Sequence, residues 1–183
     1  MEVERIVPKK GKILDLGCGE GIFTNYMALS SSKRKILGIE LNKERVVQAD
    51  KGIKNVNFKY GNALTSFLPK SDVIVLFHLL HHLLSFSDQE KLIKKCSRSL
   101  NKGGCLVVVE VDIKPTFKYL VSWLTDHFVV PILFNHYFFE KNIFFRGKKD
   151  WLFLLKENNF ECKAISMEKG KPFTHIVFKC IKK

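Results

Sequence analysis

The segment Ile13-Leu-Asp-Leu-Gly-Cys-Gly-Glu-Gly21 constrains this chain more than any other. A short apolar run that breaks into glycines reads as a buried strand entering a tight turn. Gly17, Gly19 and Gly21 let the backbone turn sharply and let a ligand approach without meeting a Cβ. The spacing is GxGxG, and Ile22 stands where a dinucleotide fingerprint needs its third glycine, so the loop departs from the pyrophosphate-binding form. Asp15 ends the strand, where a carboxylate can meet an ammonium group.

Downstream, strand and helix patterns alternate. Strands are expected at 12–16, 35–40, 56–60, 72–77 and 105–111, with helices at 21–29 and 43–49 between the first three. Ser87-Asp-Gln-Glu90 has capping-box spacing, and Leu92, Ile93, Cys96 and Leu100 follow at helical intervals until Asn101-Lys-Gly-Gly104 stops the helix. A last helix is expected at 150–157. Two final strands, at 160–167 and 173–181, flank a hairpin turn at Lys169-Gly-Lys-Pro172. The alternation predicts an α/β fold: a doubly wound, mostly parallel sheet with helices on both faces, one of the last two strands running antiparallel across the hairpin. In such sheets ligands bind at the carboxyl ends of the strands, where strand order reverses.

Two further features fall at that edge. Glu40 ends the second strand, 21 residues after Gly19, and its carboxylate can accept both hydroxyls of a ribose. Gly61-Asn62-Ala63 follows the third strand and can offer an amide to an adenine. With these residues the chain resembles the class I (Rossmann-like) S-adenosylmethionine (SAM)-dependent methyltransferases. Leu14 to Gly21 looks like their first motif, Gly38-Ile-Glu-Leu41 like the acidic ribose motif, and Gly61-Asn62-Ala63 like the adenine loop, with Asn62 where Asp is frequent. Asp72-Val-Ile-Val-Leu-Phe-His-Leu-Leu-His-His-Leu83 resembles the fourth-strand motif, and Leu100-Asn-Lys-Gly-Gly104 the turn before the fifth strand. The resemblance covers about residues 10–111. It implies a seven-stranded sheet with the last strand antiparallel, in a single SAM-binding domain over 1–183 that releases S-adenosylhomocysteine as product. The cofactor set it implies is Asp15, Gly17, Cys18, Gly19 and Gly21 on the first motif, with Glu40, Leu41, Asn62, Ala63 and Phe77. Gly17, Gly19 and Asp15 would hold the methionine part, and substitution of Gly17 or Gly19 by valine would remove SAM binding from a folded domain.

His78 and His81 lie just past the fourth strand, on the side a methyl acceptor would enter, and are the catalytic candidates: an imidazole near pH 7 can take a proton as the methyl arrives. No Asn/Asp-Pro-Pro-Tyr tetrapeptide and no Pro-Cys pair is present, which argues against the adenine-amine and cytosine-C5 chemistries that use them. Residues 114–147 hold nearly half of the aromatic side chains. Phe117, Leu120, Val121, Leu124 and Phe128 form one helical stripe, and Tyr119 and Trp123 a second apolar face. This helical insert, an expected cap over the acceptor site, makes Tyr119, Trp123 and His127 the substrate-contact candidates. Its surplus apolar face, flanked by Lys118, Lys141, Arg146, Lys148 and Lys149, also suits a homodimer surface or peripheral contact with an anionic membrane.

Bulk properties narrow the function. The net charge of +13 favours acidic partners, but the lysines form no run and no nucleic-acid module is visible. The five cysteines show no CxxC pair or metal-ligand spacing, so free thiols in a reducing cytosol and no metal are expected. No apolar leader or spanning stretch is seen, which gives a cytoplasmic location, with membrane contact only at the periphery. The reading that follows is a methyltransferase acting on a small apolar, aromatic or lipid-like acceptor. Its rivals are an RNA methyltransferase and a catalytically silent SAM-fold subunit that binds a partner or a membrane.

Overall fold

The computed structural model describes residues 2–113, 120, 123–125, 143–167 and 175–183. Helix α1 (Glu2–Ile6) precedes β1 (Gly11–Leu16), α2 (Ile22–Ser30), β2 (Arg34–Glu40), α3 (Lys43–Ala49), β3 (Val56–Tyr60) and β4 (Ser71–Phe77). A single 3₁₀ turn (Leu80–His82) leads to α4 (Phe86–Ser99), β5 (Leu100–Val111), α5 (Lys148–Glu157), β6 (Phe160–Ser166) and β7 (His175–Lys182). The strands form one sheet in the order β3-β2-β1-β4-β5-β7-β6. The first five are parallel, and β7 runs antiparallel to both β5 and β6. The doubly wound sheet is therefore as expected, and the order reverses between β1 and β4.

Alternation along the strands divides the core in two. Leu14, Leu16, Ile74, Leu76, Leu106 and Val108 face α4 and α5, where they meet Leu92, Ile93, Cys96, Trp151 and Leu155. Ile13, Val73, Val75, Val107 and Val109 face the other way, onto Val3, Val7, Phe23 and Met27 of α1, the loop after it and α2. Burial on both faces is why the central strands read as unbroken apolar runs.

Several boundaries differ from expectation, each for a local reason. Helix α4 is capped by Ser85, whose Oγ accepts from the Asp88 amide at 3.1 Å, so the cap lies two residues before Ser87. Strand β5 starts at Leu100: the register passes from Ser71–Leu100 to Val73–Cys105, so residues 101–104 bulge opposite Asp72, whose carboxylate accepts from Asn101 and from the Lys12 amide. The expectation of free thiols is corrected at one pair. Cys162 and Cys180, directly opposite in β6 and β7, form a disulfide, while Cys18, Cys96 and Cys105 are free.

The expected hairpin turn at 169–172 lies outside the described residues, as does most of 114–147, including Tyr119 and His127. Of that insert, Trp123 is half-buried, and Leu120 and Leu124 are exposed. Its carboxyl end docks on the domain. Phe144 donates its amide to the His81 carbonyl at 2.8 Å, and Gln89 of α4 donates to the Phe144 carbonyl. Arg146 pairs with Glu90, donates to Gln89 and lies over the Phe86 ring. Arg146 is thus engaged with α4 and is not the free flanking cation that a membrane contact would draw on.

Candidate cofactor and acceptor site

A cavity of about 370 Å³ opens at the carboxyl ends of β1 to β4, where strand order reverses. Its lining brings together Gly17, Gly19, Glu40, Leu41, Asn62, Ala63 and His78 of the residues expected from sequence. His82, in the same turn as His81, also lines it, as does Arg45, which was not anticipated. Asp15, Cys18, Gly21, Phe77 and His81 lie behind this lining rather than in it.

The glycine loop and Glu40 are built as one unit. The Gly17 and Cys18 amides donate to the Ile39 carbonyl, and the Gly19 amide donates to Glu40 Oε2 at 2.9 Å. Glu40 Oε1 accepts from the Asn42 amide, and Asn42 in turn caps α3. The carboxylate, 8 % exposed, is thereby fixed with one amide on each oxygen, which leaves a lone pair on each for a further donor.

The three glycines differ in what surrounds them. A Cβ on Gly19, where φ is +55°, would meet no protein atom within 4 Å. A Cβ on Gly17 would come within 2.6 Å of the Leu79 side chain, and one on Gly21 within 2.8 Å of Ala49 Cβ. Gly21 is thus needed for packing, while at Gly17 the Leu79 side chain must turn aside, so the expectation that Gly17→Val acts on SAM binding alone is revised.

Asp15 is buried at the end of β1. Thr24 donates to its Oδ2 at 2.6 Å, while Oδ1 has no partner among the described residues. Burial, with the Glu40 charge adding to it and the Thr24 bond opposing, raises its pKa to about 7. The folded protein therefore holds this proton more tightly than the unfolded chain does. The associated stability is complete below about pH 4, the ordinary carboxylate range, and is lost as pH rises towards 7. Asp15→Asn, which carries no charge to bury, is expected to gain in melting temperature over wild type between pH 4 and 7 and to hold a constant advantage above. Calorimetry across that range checks this, and a pH-independent difference would mean that Asp15 ionises freely.

Around the adenine-side loop, Asn62 Oδ1 accepts from the Leu64 amide, which fixes the side chain within its own turn and leaves one lone pair on that oxygen. Lys95, from α4, donates to the carbonyls of Ala63, Leu64 and Ser66 and holds this loop against the domain. Cys18 Sγ sits close to Gly38, and burial pushes its thiol well above the ordinary range, which leaves it a packing group. Phe77 packs its ring against that of Phe23, tilted by 40° with centroids 4.9 Å apart.

On the acceptor side, His78 follows β4 with φ at +51° and donates its amide to the Val109 carbonyl at 2.9 Å. His81 is 1 % exposed, and its Nδ1 lies 2.5 Å from Glu110 Oε2. Glu110 Oε1 accepts the Leu80 amide. Burial lowers both imidazoles to about 3 and raises Glu110 to about 7. The rings thus stay neutral at physiological pH, and a proton-accepting limb near neutrality is not expected of His78. Glu110 was missed in the sequence, although a lone carboxylate in Val107-Val-Val-Glu-Val111 is itself a signal.

Residues 2–165 match the family model described as a methyltransferase domain. An uncharacterized methyltransferase of Bacillus cereus (strain 03BB102) is 36 % identical over 113 residues, covering 59 % of this chain and 51 % of the relative. The chain spans about half the length of the curated relatives it matches. Among solved structures, a SAM-dependent methyltransferase from Methanosarcina mazei superposes with a TM-score of 0.74 at 19 % identity, over 99 % of this chain and 96 % of that one. The N-methyltransferase NodS from Bradyrhizobium japonicum WM9, in complex with S-adenosyl-L-homocysteine, gives 0.72 at 15 % identity, over 99 % and 84 %. At those identities the solved structures speak to the fold; the family model, matched over most of the chain, establishes that this chain belongs to the methyltransferase-domain family, whose cofactor is SAM.

Proposed function

We propose that this chain transfers the methyl group of SAM to a small apolar, aromatic or lipid-like acceptor. The observation that carries the cofactor half is Glu40: a fixed carboxylate at the end of β2, lining the cavity, with a lone pair on each oxygen for the two ribose hydroxyls. Two others support it. The open space over Gly19 suits the methionine part, and Arg45 and Gly61 complete the wall beside Glu40. Leu41, Asn62 and Ala63 border the adenine end.

When bound, SAM would supply an activated methyl, which an acceptor nucleophile takes in line as the S–CH3 bond breaks and S-adenosylhomocysteine leaves as the thioether. The protein's task is then to position and desolvate the acceptor, and a neutral His78 on the cavity wall suits that role. The aromatic insert supplies the apolar acceptor wall in this reading, with Tyr119, Trp123 and His127 as its contacts. The positive charge does not favour the RNA alternative. A groove lined by Lys12, Lys35, Lys54 and Lys70 lies at the amino ends of the strands, at the opposite end from the cavity, so a nucleic acid held there would not offer a base to the methyl.

Glu40→Gln is expected to weaken SAM binding by about 1–3 kcal/mol, the range for charge-assisted hydrogen bonds. Calorimetric titration of the folded variant checks it, and unchanged affinity would remove Glu40 from the ribose site. Transfer of label from methyl-labelled SAM into a small-molecule extract tests the acceptor half. Tight SAM binding with no labelled product in any fraction would favour the silent-subunit alternative.

A further inference from the structure

We propose that His78, His81 and Glu110 form a binding site for a divalent transition metal, of the Zn²⁺ type, on the acceptor side of the cofactor cavity. The cysteines have no metal-ligand spacing, and this histidine–carboxylate set is assembled from three separate elements. His78 follows β4, His81 stands in the 3₁₀ turn, and Glu110 is near the end of β5. The fold brings one potential ligand atom from each within 4.8 Å of the others.

The cluster is held in place by the backbone. The His78 amide is tied to the Val109 carbonyl, next to Glu110, and Glu110 Oε1 is fixed by the Leu80 amide, next to His81. His78 keeps a left-handed backbone that a histidine adopts rarely, and such strain persists where surroundings over-determine it. His175, at the start of β7, packs its ring 4.6 Å from that of His78 and restricts it further.

Composition identifies the ligand class. Two imidazoles and one carboxylate form a three-ligand set that leaves coordination positions open, as in catalytic zinc and related centres. Mg²⁺ and Ca²⁺ favour oxygen shells and suit this set poorly. His81 and Glu110 are each 1 % exposed, beside a core of Leu and Val, where polar groups are unfavourable unless paired or bound to a metal. The 2.5 Å contact between them is their pairing without metal, and a bound ion takes the place of the proton they share. Because His78 lines the cavity, the open positions face the entering acceptor and suit an oxygen donor on it. That last step rests on the proposed methyl transfer; the metal site does not.

The test uses the full chain, free of any tag and treated with chelator. Zn²⁺ titration by calorimetry is expected to show one site per chain, and Co²⁺ should give an intense visible spectrum unlike that of the aqueous ion. His78→Gly removes the ring and accepts the left-handed backbone; Glu110→Gln keeps the shape and removes the charge. Each is expected to lower Zn²⁺ affinity by about 100-fold or more, beyond the roughly 10–100-fold that loss of an outer-shell partner gives, with circular dichroism unchanged. Wild type and both variants binding Zn²⁺ equally, or a wild-type Co²⁺ spectrum matching the aqueous ion, would overturn the site. SAM titration of the same samples separates the two proposals: metal binding that depends on His78 and Glu110 without SAM binding would sink only the methyl-transfer reading.

Discussion

Replacing Arg34 by alanine is expected to destabilise the fold by about 3–5 kcal/mol, the range for breaking a buried ion pair. Arg34 opens β2 with no exposed surface, and its guanidinium is fully used. Nη1 donates to Glu4 at 2.7 Å, to the Met27 carbonyl and to Ser30 Oγ; Nη2 donates to the Val7 carbonyl and Nε to the Pro8 carbonyl. One side chain thus ties α1, the loop after it and the last turn of α2 to the sheet, and places a cation at the negative end of α2. Alanine would leave a cavity, several unmet acceptors and a buried Glu4 with less to balance its charge. A small domain has only about 5–15 kcal/mol in total, so the variant should be marginal.

The pH dependence gives a second readout of the same network. Burial alone would raise Glu4, but hydrogen bonds from Lys9, Ser30 and Arg34, with the Arg34 charge, hold its pKa down near 2. The unfolded chain binds that proton more readily, so the network's stability is present above about pH 4.5 and is lost as pH falls towards 2. Wild type should lose stability through that window, and Arg34→Ala should lose much less. A double variant, Arg34→Met with Glu4→Leu, should recover part of the loss because it leaves no uncompensated charge. Urea unfolding at pH 7 and pH 3 measures all three. A single-variant loss below about 1 kcal/mol would show the pair to be energetically neutral, as exposed pairs are.

None of this was legible locally. Arg34 stands in Ser30-Ser-Ser-Lys-Arg-Lys35, which reads as a solvated turn, and a five-residue helix such as α1 has too few turns to show periodicity. By contrast β3 and α3 fall where the pattern places them, because each is bounded by its own chemistry: Gly61-Asn62 after β3, and the Asn42 cap before α3. The cofactor end of the sheet was legible because its glycines and Glu40 must sit at fixed distances from one backbone turn. The acceptor side was only half legible. His78 and His81 stood out, but their partner Glu110 joins them through strand pairing, which leaves no trace in sequence spacing. The Cys162–Cys180 bond escaped for the same reason, since only the β6–β7 register sets the two opposite each other.

Gly19→Val is expected to abolish measurable SAM binding, a loss of about 100-fold or more, which corresponds to about 2.7 kcal/mol or greater. The Gly19 backbone sits in the left-handed region and a Cβ there meets no protein atom within 4 Å, so a valine would project its methyls where a ligand would lie. The left-handed backbone itself costs roughly 1–2 kcal/mol for a residue with a Cβ, somewhat more for a branched one, so the domain should stay folded with a lowered melting temperature. Gly19→Ala carries nearly the same backbone strain with less bulk, and the difference between the two variants isolates the steric part. Gly21→Val should behave in the opposite way. There a Cβ meets Ala49 Cβ and the Phe58 ring, which cannot withdraw without moving α3, so stability should fall first. Gly17→Val should lie between, because the Leu79 side chain it meets can turn aside, though into the cavity it lines. Paired melting curves and SAM titrations on the four variants read this order. A Gly19→Val domain that binds SAM as wild type does would mean that the space over Gly19 is not the cofactor's, and the methionine part would have to be sought elsewhere along the strand ends.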